Sequence, residues 1–393
     1  MAKIQAVARH IARIKDNYEG MVIVASAMVA STDKLIAMAK QAGDNIPKRE
    51  LDVLLATGEQ QTVALLAIAL QNLGVDAQSM TGFQSGFVTN RYHNNVRIDA
   101  INTEKVEEIV KSGKVAVVAG FQGINEDGDI TTMGSGGSDI TAVGIAAHLG
   151  WDCEIYTTTD CLYTVDPKLY PEGKPIKAIT YEEMMEIANL GADKIETRAV
   201  ELAKKYNVKL FLGKTSETDK SKGTYIMSRE MIINENLMVE DMPITGVGTQ
   251  DDVAIFTLRN VPADGKAVAE CFAVLGELGI NVDMISQQMA ENGTCTVSFS
   301  CSAEQGEALM SELEGREAFA DIQMNCEGNL AMISLVGVGM ATHSGVASKV
   351  FQVLADNSIT YYHITTSEIS ISVTVDMEQK MKAAIALARE FNL

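Results

Sequence analysis

Two glycine-bearing stretches, one helix-like turn and one aromatic turn hold the residues whose types and spacing could do chemistry. Thr131-Thr132-Met133-Gly134-Ser135-Gly136-Gly137-Ser138-Asp139 precedes an apolar helical run. Glycines let backbone amides approach a ligand closely, and the N-terminus of the following helix favours an anion. Ser138 and Asp139 also suit N-capping, and a glycine-rich strand–turn–helix connection reads equally well, because the spacing is neither a Walker nor a dinucleotide fingerprint. Ala56-Thr57-Gly58-Glu59-Gln60 reads as the opening of a second helix. There a hydroxyl and a carboxylate either hold an ammonium group or cap the helix. Ser26-Ala27-Met28 followed by Thr32-Asp33 offers the same choice. Tyr163-Thr164-Val165-Asp166-Pro167-Lys168 puts an aromatic, an acid and a base in one turn, which by itself is a surface loop.

These stretches need elements to position them. Over the first 215 residues apolar runs alternate with amphipathic ones. Strands are expected at Met21–Ser26, Val115–Ala119, Glu154–Thr157 and Lys209–Leu212. Helices are expected at Ile4–Ile14, Leu35–Ala42, Gln61–Leu73, Thr103–Ser112, Ile140–Leu149, Tyr181–Ala188 and Arg198–Lys205. Such alternation reads as a sheet wrapped by helices on both faces. Lys214–Gly223 is polar and aperiodic and is expected to end the first domain. The last 145 residues repeat internally. Strands Val253–Thr257 and Ala331–Leu335 lead to helices Lys266–Leu278 and Gly345–Ala355. Second strands (Asn281–Ser286, Thr360–Thr365), third strands (Thr294–Ser300, Glu368–Val375) and closing helices (Ala303–Glu314, Gln379–Phe391) follow. That is a βαββα unit twice over, and a unit this small with an open sheet face stacks against a copy of itself.

Composition narrows the class. The 393 residues call for two or three domains, and 47% apolar content suffices for large cores. A net charge of −20 argues against nucleic acid and anionic membranes as partners, though a nucleotide site built from backbone amides stays open. No apolar run approaches the roughly 18 residues of a membrane span, and the N-terminus lacks a signal-peptide core. Six scattered cysteines without Cys-x-x-Cys spacing suggest reduced thiols in a cytoplasm. Neither they nor the five histidines show metal-ligand spacing, so no metal site is expected.

In order and spacing, several stretches together resemble the aspartate kinase branch of the amino-acid kinase family. They are Ser26–Asp33, Ala56–Gln60, Thr81–Gly86, Val118–Gly123, Gly134–Asp139, Cys153–Thr157, Tyr163–Lys168 and Arg198–Tyr206. The repeat resembles paired ACT domains through Gly279–Ile285, Val336–Met340 and Thr365–Val373. The resemblance implies a three-layer α/β/α sandwich over residues 1–225, a linker at 226–250, and two α+β ACT units at 251–320 and 328–393. It implies transfer of the γ-phosphoryl of Mg-ATP to the side-chain carboxylate of aspartate, the first step towards lysine, threonine and methionine, under feedback control by an amino acid. Carried over, the aspartate-binding positions are Thr32, Thr57, Glu59 and the loop Ser135, Gly136, Gly137 and Ser138, with Glu59 on the substrate ammonium. Asp139 matches the family's helix-opening acid and takes the catalytic role. ATP-binding positions are Thr157, Thr158, Tyr163, Asp166, Pro167 and Lys168; effector-binding positions are Asn281, Val282, Asp283 and Gln287. The ACT pair implies a homodimer or a hetero-oligomer.

The sequence also departs from the pattern. The family opens with a strand ending in a Lys-Phe-Gly-Gly-type segment, and here Met1 falls after that point, so the sheet is expected to lack its first strand and the site its lysine. Val29 stands for a glycine, Ser135 for an arginine, Thr158 for an acid, Cys161 for a glycine, Asp193 for a lysine and Lys168 for an arginine. The turn Ala263–Lys266 lacks the family's Asp-x-Pro-Gly, and Thr360-Tyr361 stands for Asn-Ile. Losing one charge-assisted transition-state contact costs about 10²–10³ in rate. Besides a working kinase, the residues therefore allow a catalytically dead regulatory partner of an active kinase, or a kinase whose acceptor lacks the α-carboxylate.

Overall fold

The computed structural model describes every residue except 191–194, 216, 238–241, 283, 290–292 and 342. Two calls, on Asp193 and Asp283, lie outside the described residues. The chain divides into two compact units, Met1–Leu162 with Pro175–Glu240, and Tyr163–Lys174 with Asp241–Leu393.

In chain order the first unit contains α1 (Ala2–Ile14), β1 (Val22–Ala25), α2 (Ser31–Ala42), α3 (Lys48–Gln71), β2 (Ala77–Met80), β3 (Phe87–Thr89), β4 (Ile98–Ile101), α4 (Glu104–Lys111), β5 (Val115–Ala119), β6 (Gln122–Ile124), β7 (Ile130–Thr132), α5 (Gly137–Leu149) and β8 (Cys153–Thr157). The short strands β9 (Leu162–Tyr163) and β10 (Pro175–Ile176) precede β11 (Ala178–Thr180), α6 (Tyr181–Asn189), α7 (Thr197–Tyr206), β12 (Leu210–Lys214), β13 (Thr224–Met227) and α8 (Arg229–Asn234). β1, β5 and β2 form a parallel sheet in that order, and β11, β13, β12 and β8 form a mixed one. β4, β3, β6 and β7 make a third, smaller sheet.

β5 (VAVVA) is buried at all five positions, as a parallel strand covered on both faces must be. On one side Ile4, Ala8 and Ile11 of α1 and Val63, Leu66, Ala67 and Leu70 of α3 bury against Val115, Val117 and Ala119. α4 packs against β5 and α5 against β1, giving the helix–sheet–helix layering that the alternation implied. α6 starts with a reciprocal capping box, Thr180 with Glu183.

Three expectations change here. α3 starts at Lys48, not near Gln61, and its 24 residues enclose Ala56–Gln60. By length and composition it is apolar enough to cross a bilayer, against the expectation that no run is, but it packs on α1, α2, β2 and β5. Lys214–Gly223 does not end the unit. It is the turn of an antiparallel β12–β13 pair, and β13 also pairs parallel with β11. The expected linker at 226–250 contains the end of β13, α8 and the start of a further strand.

The second unit contains β14 (Gly246–Pro262), α9 (Lys266–Leu278), β15 (Ile285–Met289), β16 (Thr294–Ser302), α10 (Ala303–Leu313), β17 (Gln323–Val336), α11 (Val346–Asp356), β18 (Tyr361–Thr366), β19 (Ser370–Asp376) and α12 (Lys380–Glu390). Each repeat runs βαββα. The two repeats join edge to edge in one six-stranded sheet, β15-β16-β14-β17-β19-β18. The join is made by β14 and β17, which pair along both repeats: Gly246–Gln250 opposite Met332–Val336, and Val253–Arg259 opposite Gln323–Leu330. Bulges lie between these stretches, where Asp252 and Asn329 take φ of 56° and 62°. α9 buries Ala267, Cys271, Val274 and Leu275, an i, i+4, i+7, i+8 stripe, with Phe256 and Phe299 in the first repeat's core. The second core gathers Ile333, Leu335, Val350, Leu354 and Leu387, and adds Val247, Val165 and Tyr170 from outside the repeat.

Candidate active site

In the first unit, α3 meets the segment after β1, and the segments after β5 and before α7 touch the glycine-rich loop. Gly58 lies mid-helix because α3 passes close to the end of β1: a Cβ there would sit 2.9 Å from the Ala27 Cβ. That approach lets the Ala27 N–H donate to Glu59 Oε1 at 2.9 Å. Glu59 is 5% exposed, and its Oε2 has no hydrogen-bond partner. Burial pushes the Glu59 carboxyl above the usual carboxylate range, and the Ala27 N–H opposes part of that rise. A buried carboxylate oxygen without a donor is costly.

Next, the segment after β5 lies against the loop. A Cβ on Gly120 would fall 2.6 Å from Ser138 Oγ. Phe121 takes φ of 70° and its N–H donates to Thr141 Oγ1 at 3.1 Å. Ala30, beside the exposed Val29, takes φ of 63°. Left-handed backbone at non-glycine residues stores about 1–3 kcal/mol each and gathers at functional sites. Gln122 ties β6 to α3, donating to the Ala56 carbonyl at 3.0 Å.

The loop itself turns at Gly134 and Gly136, with φ of 81° and 66°. α5 begins at Gly137 with Gly136 as a left-handed N-cap and no side-chain cap. Ser138 and Asp139 are therefore first-turn residues, not the caps they could have been. Asp139 Oδ2 accepts the Glu196 N–H at 3.3 Å. Burial and the nearby Glu196 carboxylate raise its carboxyl. Glu196 packs on Gly136, where a Cβ would lie 2.4 Å from the Glu196 Cβ. Ser135 is exposed at the loop tip.

The other expected residues distribute as follows. Thr57 is not a cap; from the helix interior its hydroxyl donates to the Leu54 carbonyl at 2.7 Å. Two residues apart on a helix, Thr57 and Glu59 point in different directions. Thr32 is exposed in the first turn of α2, which has Ala30 as N-cap without a side-chain cap. Thr157 ends β8 and accepts the Thr159 N–H at 3.0 Å, while Thr158 is exposed. Tyr163, Asp166, Pro167 and Lys168 belong to the second unit. There Asp166 Oδ1 accepts the Lys168 N–H at 2.9 Å, closing a turn.

Also in the second unit, a cavity of about 280 Å³ lies between α9 and the strands. Pro262, Ala263, Val268, Phe272, Cys295 and the effector candidate Gln287 line it. Asn281 is exposed and Val282 packs against the first repeat's core.

Sequence reasoning missed the polar hub behind the loop. Asp52, His93, Asn95 and Arg198 meet there from three places in the chain. Only a helix start at Pro47 would have put Asp52 two turns ahead of Glu59. Among the described residues, no group of three or more His, Cys, Asp or Glu side chains could hold a metal ion.

Residues 1–214 match the amino acid kinase family, and residues 333–391 match an ACT domain. The chain is 41% identical over 393 residues to the aspartokinase of Bacillus sp. (strain MGA3), covering 100% of this chain and 94% of that one. It is 39% identical over 393 residues to aspartokinase 2 of Bacillus subtilis (strain 168), with the same coverage. Among solved structures, E. coli aspartokinase III with aspartate and ADP superposes at a TM-score of 0.74, with 22% identity over 92% of this chain and 80% of that one. The same enzyme with lysine and aspartate gives 0.76, with 20% identity over 98% and 96%. At such identities the structural likeness speaks for the fold.

Proposed function

From the chain's membership of the aspartokinases, a branch of the amino-acid kinase family, we propose that its first unit holds the aspartate ammonium on Glu59 and presents the side-chain carboxylate to ATP across the Gly134–Ser138 loop. The reaction is that of an aspartate kinase: the γ-phosphoryl of ATP moves to the side-chain carboxylate, giving an acyl phosphate and ADP.

The observation that carries the substrate assignment is the unpartnered, buried Glu59 Oε2. Its neighbour Oε1 is fixed by Ala27, so the free oxygen has one orientation in which to receive an ammonium N–H. Phosphoryl transfer asks little covalent chemistry of the protein; positioning and charge neutralisation carry the rate. The loop supplies positioning through the partly exposed Gly136 at the α5 N-terminus, and Ser138 adds a hydroxyl there. Asp139 holds the residues ahead of α7 against the loop through Glu196. Thr157 and Thr158 are assigned to the nucleotide. Mg²⁺ enters with ATP as part of the co-substrate, neutralising its phosphates.

The second unit is assigned to regulation. Its cavity beside Gln287 has the size for an amino acid, and the E. coli relative was solved with lysine. An amino acid of that pathway acting at this cavity, in a dimer or hetero-oligomer built through the ACT pair and located in the cytoplasm, completes the reading. Neither a catalytically dead partner nor a changed acceptor is favoured by relatives named aspartokinase over the full chain.

The test is Mg-ATP turnover by the purified chain with aspartate, trapping the acyl phosphate as a hydroxamate. Aspartate-dependent hydroxamate that Glu59→Gln suppresses is the expected result. No hydroxamate from the natural chain at any aspartate concentration overturns the reading.

A further inference from the structure

We propose that Asp52 is a positioning residue for the substrate loop, acting through a hydrogen-bonded splint formed by residues 93–96. The proposal rests on the reading above, that Gly134–Ser138 receives aspartate.

Asp52 is fully buried on α3, two turns before Glu59. Its carboxylate takes three donors from two distant segments. Thr132 Oγ1 donates to Oδ1 at 2.6 Å, His93 Nδ1 lies 2.8 Å from Oδ2, and the Asn94 N–H donates at 3.2 Å. Thr132 is the last residue of β7 and leads directly into the loop. Its carbonyl accepts the N–H groups of both Asn95 and Val96 at 3.0 Å. The splint is held from its far side by Arg198 of α7. Arg198 Nη1 donates to Asn95 Oδ1 at 2.7 Å and to the Met133 carbonyl at 3.0 Å, and Nη2 donates to the Val96 carbonyl at 2.9 Å.

The splint is strained and touches the loop. Asn94 and Asn95 have φ of 63° and 142°, conformations that persist only where the surroundings over-determine them. A Cβ on Gly134 would lie 3.0 Å from Asn95 Oδ1, so the splint is seated against the first turn of the loop. Asp52 thus fixes both the strand end that feeds the loop and the segment that backs it. It does so from the helix that carries Glu59, and the loop and the ammonium acceptor share one anchor. Only a carboxylate meets three donors with acceptors alone; an amide at this position presents one oxygen and turns N–H groups on donors.

The experiment uses the full chain and the variants Asp52→Asn, His93→Leu, His93→Asn and Thr132→Ser. It measures calorimetric affinity for aspartate and for Mg-ADP separately, and amide hydrogen exchange over residues 132–140. For Asp52→Asn and His93→Leu the expected results are at least tenfold weaker aspartate binding, Mg-ADP affinity within twofold, and at least tenfold faster exchange at 132–140 with residues 60–70 of α3 unchanged. His93→Asn, which restores an N–H donor, and Thr132→Ser, which restores the hydroxyl, are expected within threefold of the natural chain. Unchanged exchange and affinity in Asp52→Asn overturn the proposal. So does a uniform rise in exchange through the unit with equal loss of both ligands, which makes Asp52 a fold staple. If the natural chain binds no aspartate while exchange at 132–140 responds as described, the substrate reading fails and the positioning of the loop stands.

Discussion

Replacing Glu59 by Gln separates its binding role from its structural cost. The amide keeps the shape of the side chain, and its oxygen can still accept the Ala27 N–H. The unpartnered carboxylate oxygen becomes an amide nitrogen, and the negative charge disappears. Toward ligand, one charge-assisted hydrogen bond to an ammonium is lost, about 1.5–3 kcal/mol. That corresponds to an aspartate Kd raised roughly 10- to 150-fold, at about 1.4 kcal/mol per decade. Toward stability, the change has the opposite sign. An unmet buried polar group costs about 1–3 kcal/mol, and the amide still leaves an unmet donor, so a net gain of about 1 kcal/mol is expected at pH 8. For a unit of this size that raises Tm by about 2–4 °C. Calorimetry with aspartate and a thermal melt of the ligand-free protein read the two effects independently, with Mg-ADP affinity as the control. Glu59→Gln that binds aspartate within threefold of the natural chain would refute the ammonium site. A lowered Tm would refute the claim that this carboxylate is held at a cost in the empty site.

Three further outcomes follow from the same geometry. Ser135→Arg places a planar cation on an exposed loop tip, where it can fork onto a substrate carboxylate. It is expected to lower KM for aspartate about tenfold with little change in Tm, and an unchanged KM would show that the α-carboxylate is not bound at this turn. Gly136→Ala combines positive φ with a Cβ 2.4 Å from that of Glu196. It is expected to cost upwards of about 1–2 kcal/mol from the left-handed backbone alone and most of the activity, with partial return when Glu196→Gly is added. Finally, burial raises the Glu59 carboxyl in the folded state, so the native protein binds that proton more tightly than the unfolded chain. Ligand-free stability from this group therefore falls as pH rises from the unfolded value of about 4.3 through the folded one. Aspartate affinity runs the other way, weakening as pH falls through the folded value, because the protonated carboxyl cannot receive the ammonium; Glu59→Gln is expected to flatten both profiles.

The parts legible in the sequence were those whose pattern is local. β5 and α9 have the bounds read from periodicity, because a doubly covered strand is continuously apolar and a one-sided helix is not. α3 was misread because Thr57 and Gly58 look like a helix start. Gly58 is there for contact with Ala27, and tertiary approach overrides propensity. β14 and β17 were read short because Asp252 and Asn329 resemble turn residues, whereas they occupy the bulges that let one strand serve two repeats. The second strand of the first repeat was expected at Asn281–Ser286 and lies at Ile285–Met289, exposed at every position. An edge strand with both faces wet has no alternation to read. The Asp52–His93 contact spans 41 residues, and no spacing rule announces it.

The loop's chemistry is unusual in its charge. Asp139 and Glu196 bring two carboxylates to its borders, and burial raises the first. Arg198, a cation beside them, is committed to two backbone carbonyls and one amide oxygen. It therefore shapes the loop without offering its fork to substrate. On the reading proposed above, the aspartate ammonium meets Glu59, and its two carboxylates need donors. The partly exposed backbone at Gly136, backed by the α5 dipole, is such a source. Backbone donors work only where their geometry is fixed, because a few tenths of an ångström decide each bond. Left-handed backbone at Phe121, Asn94 and Asn95 and the anchoring on a fully buried Asp52 supply such fixed geometry beside the loop. Perturbations that loosen the loop are therefore expected to weaken aspartate binding even when they leave every loop residue in place.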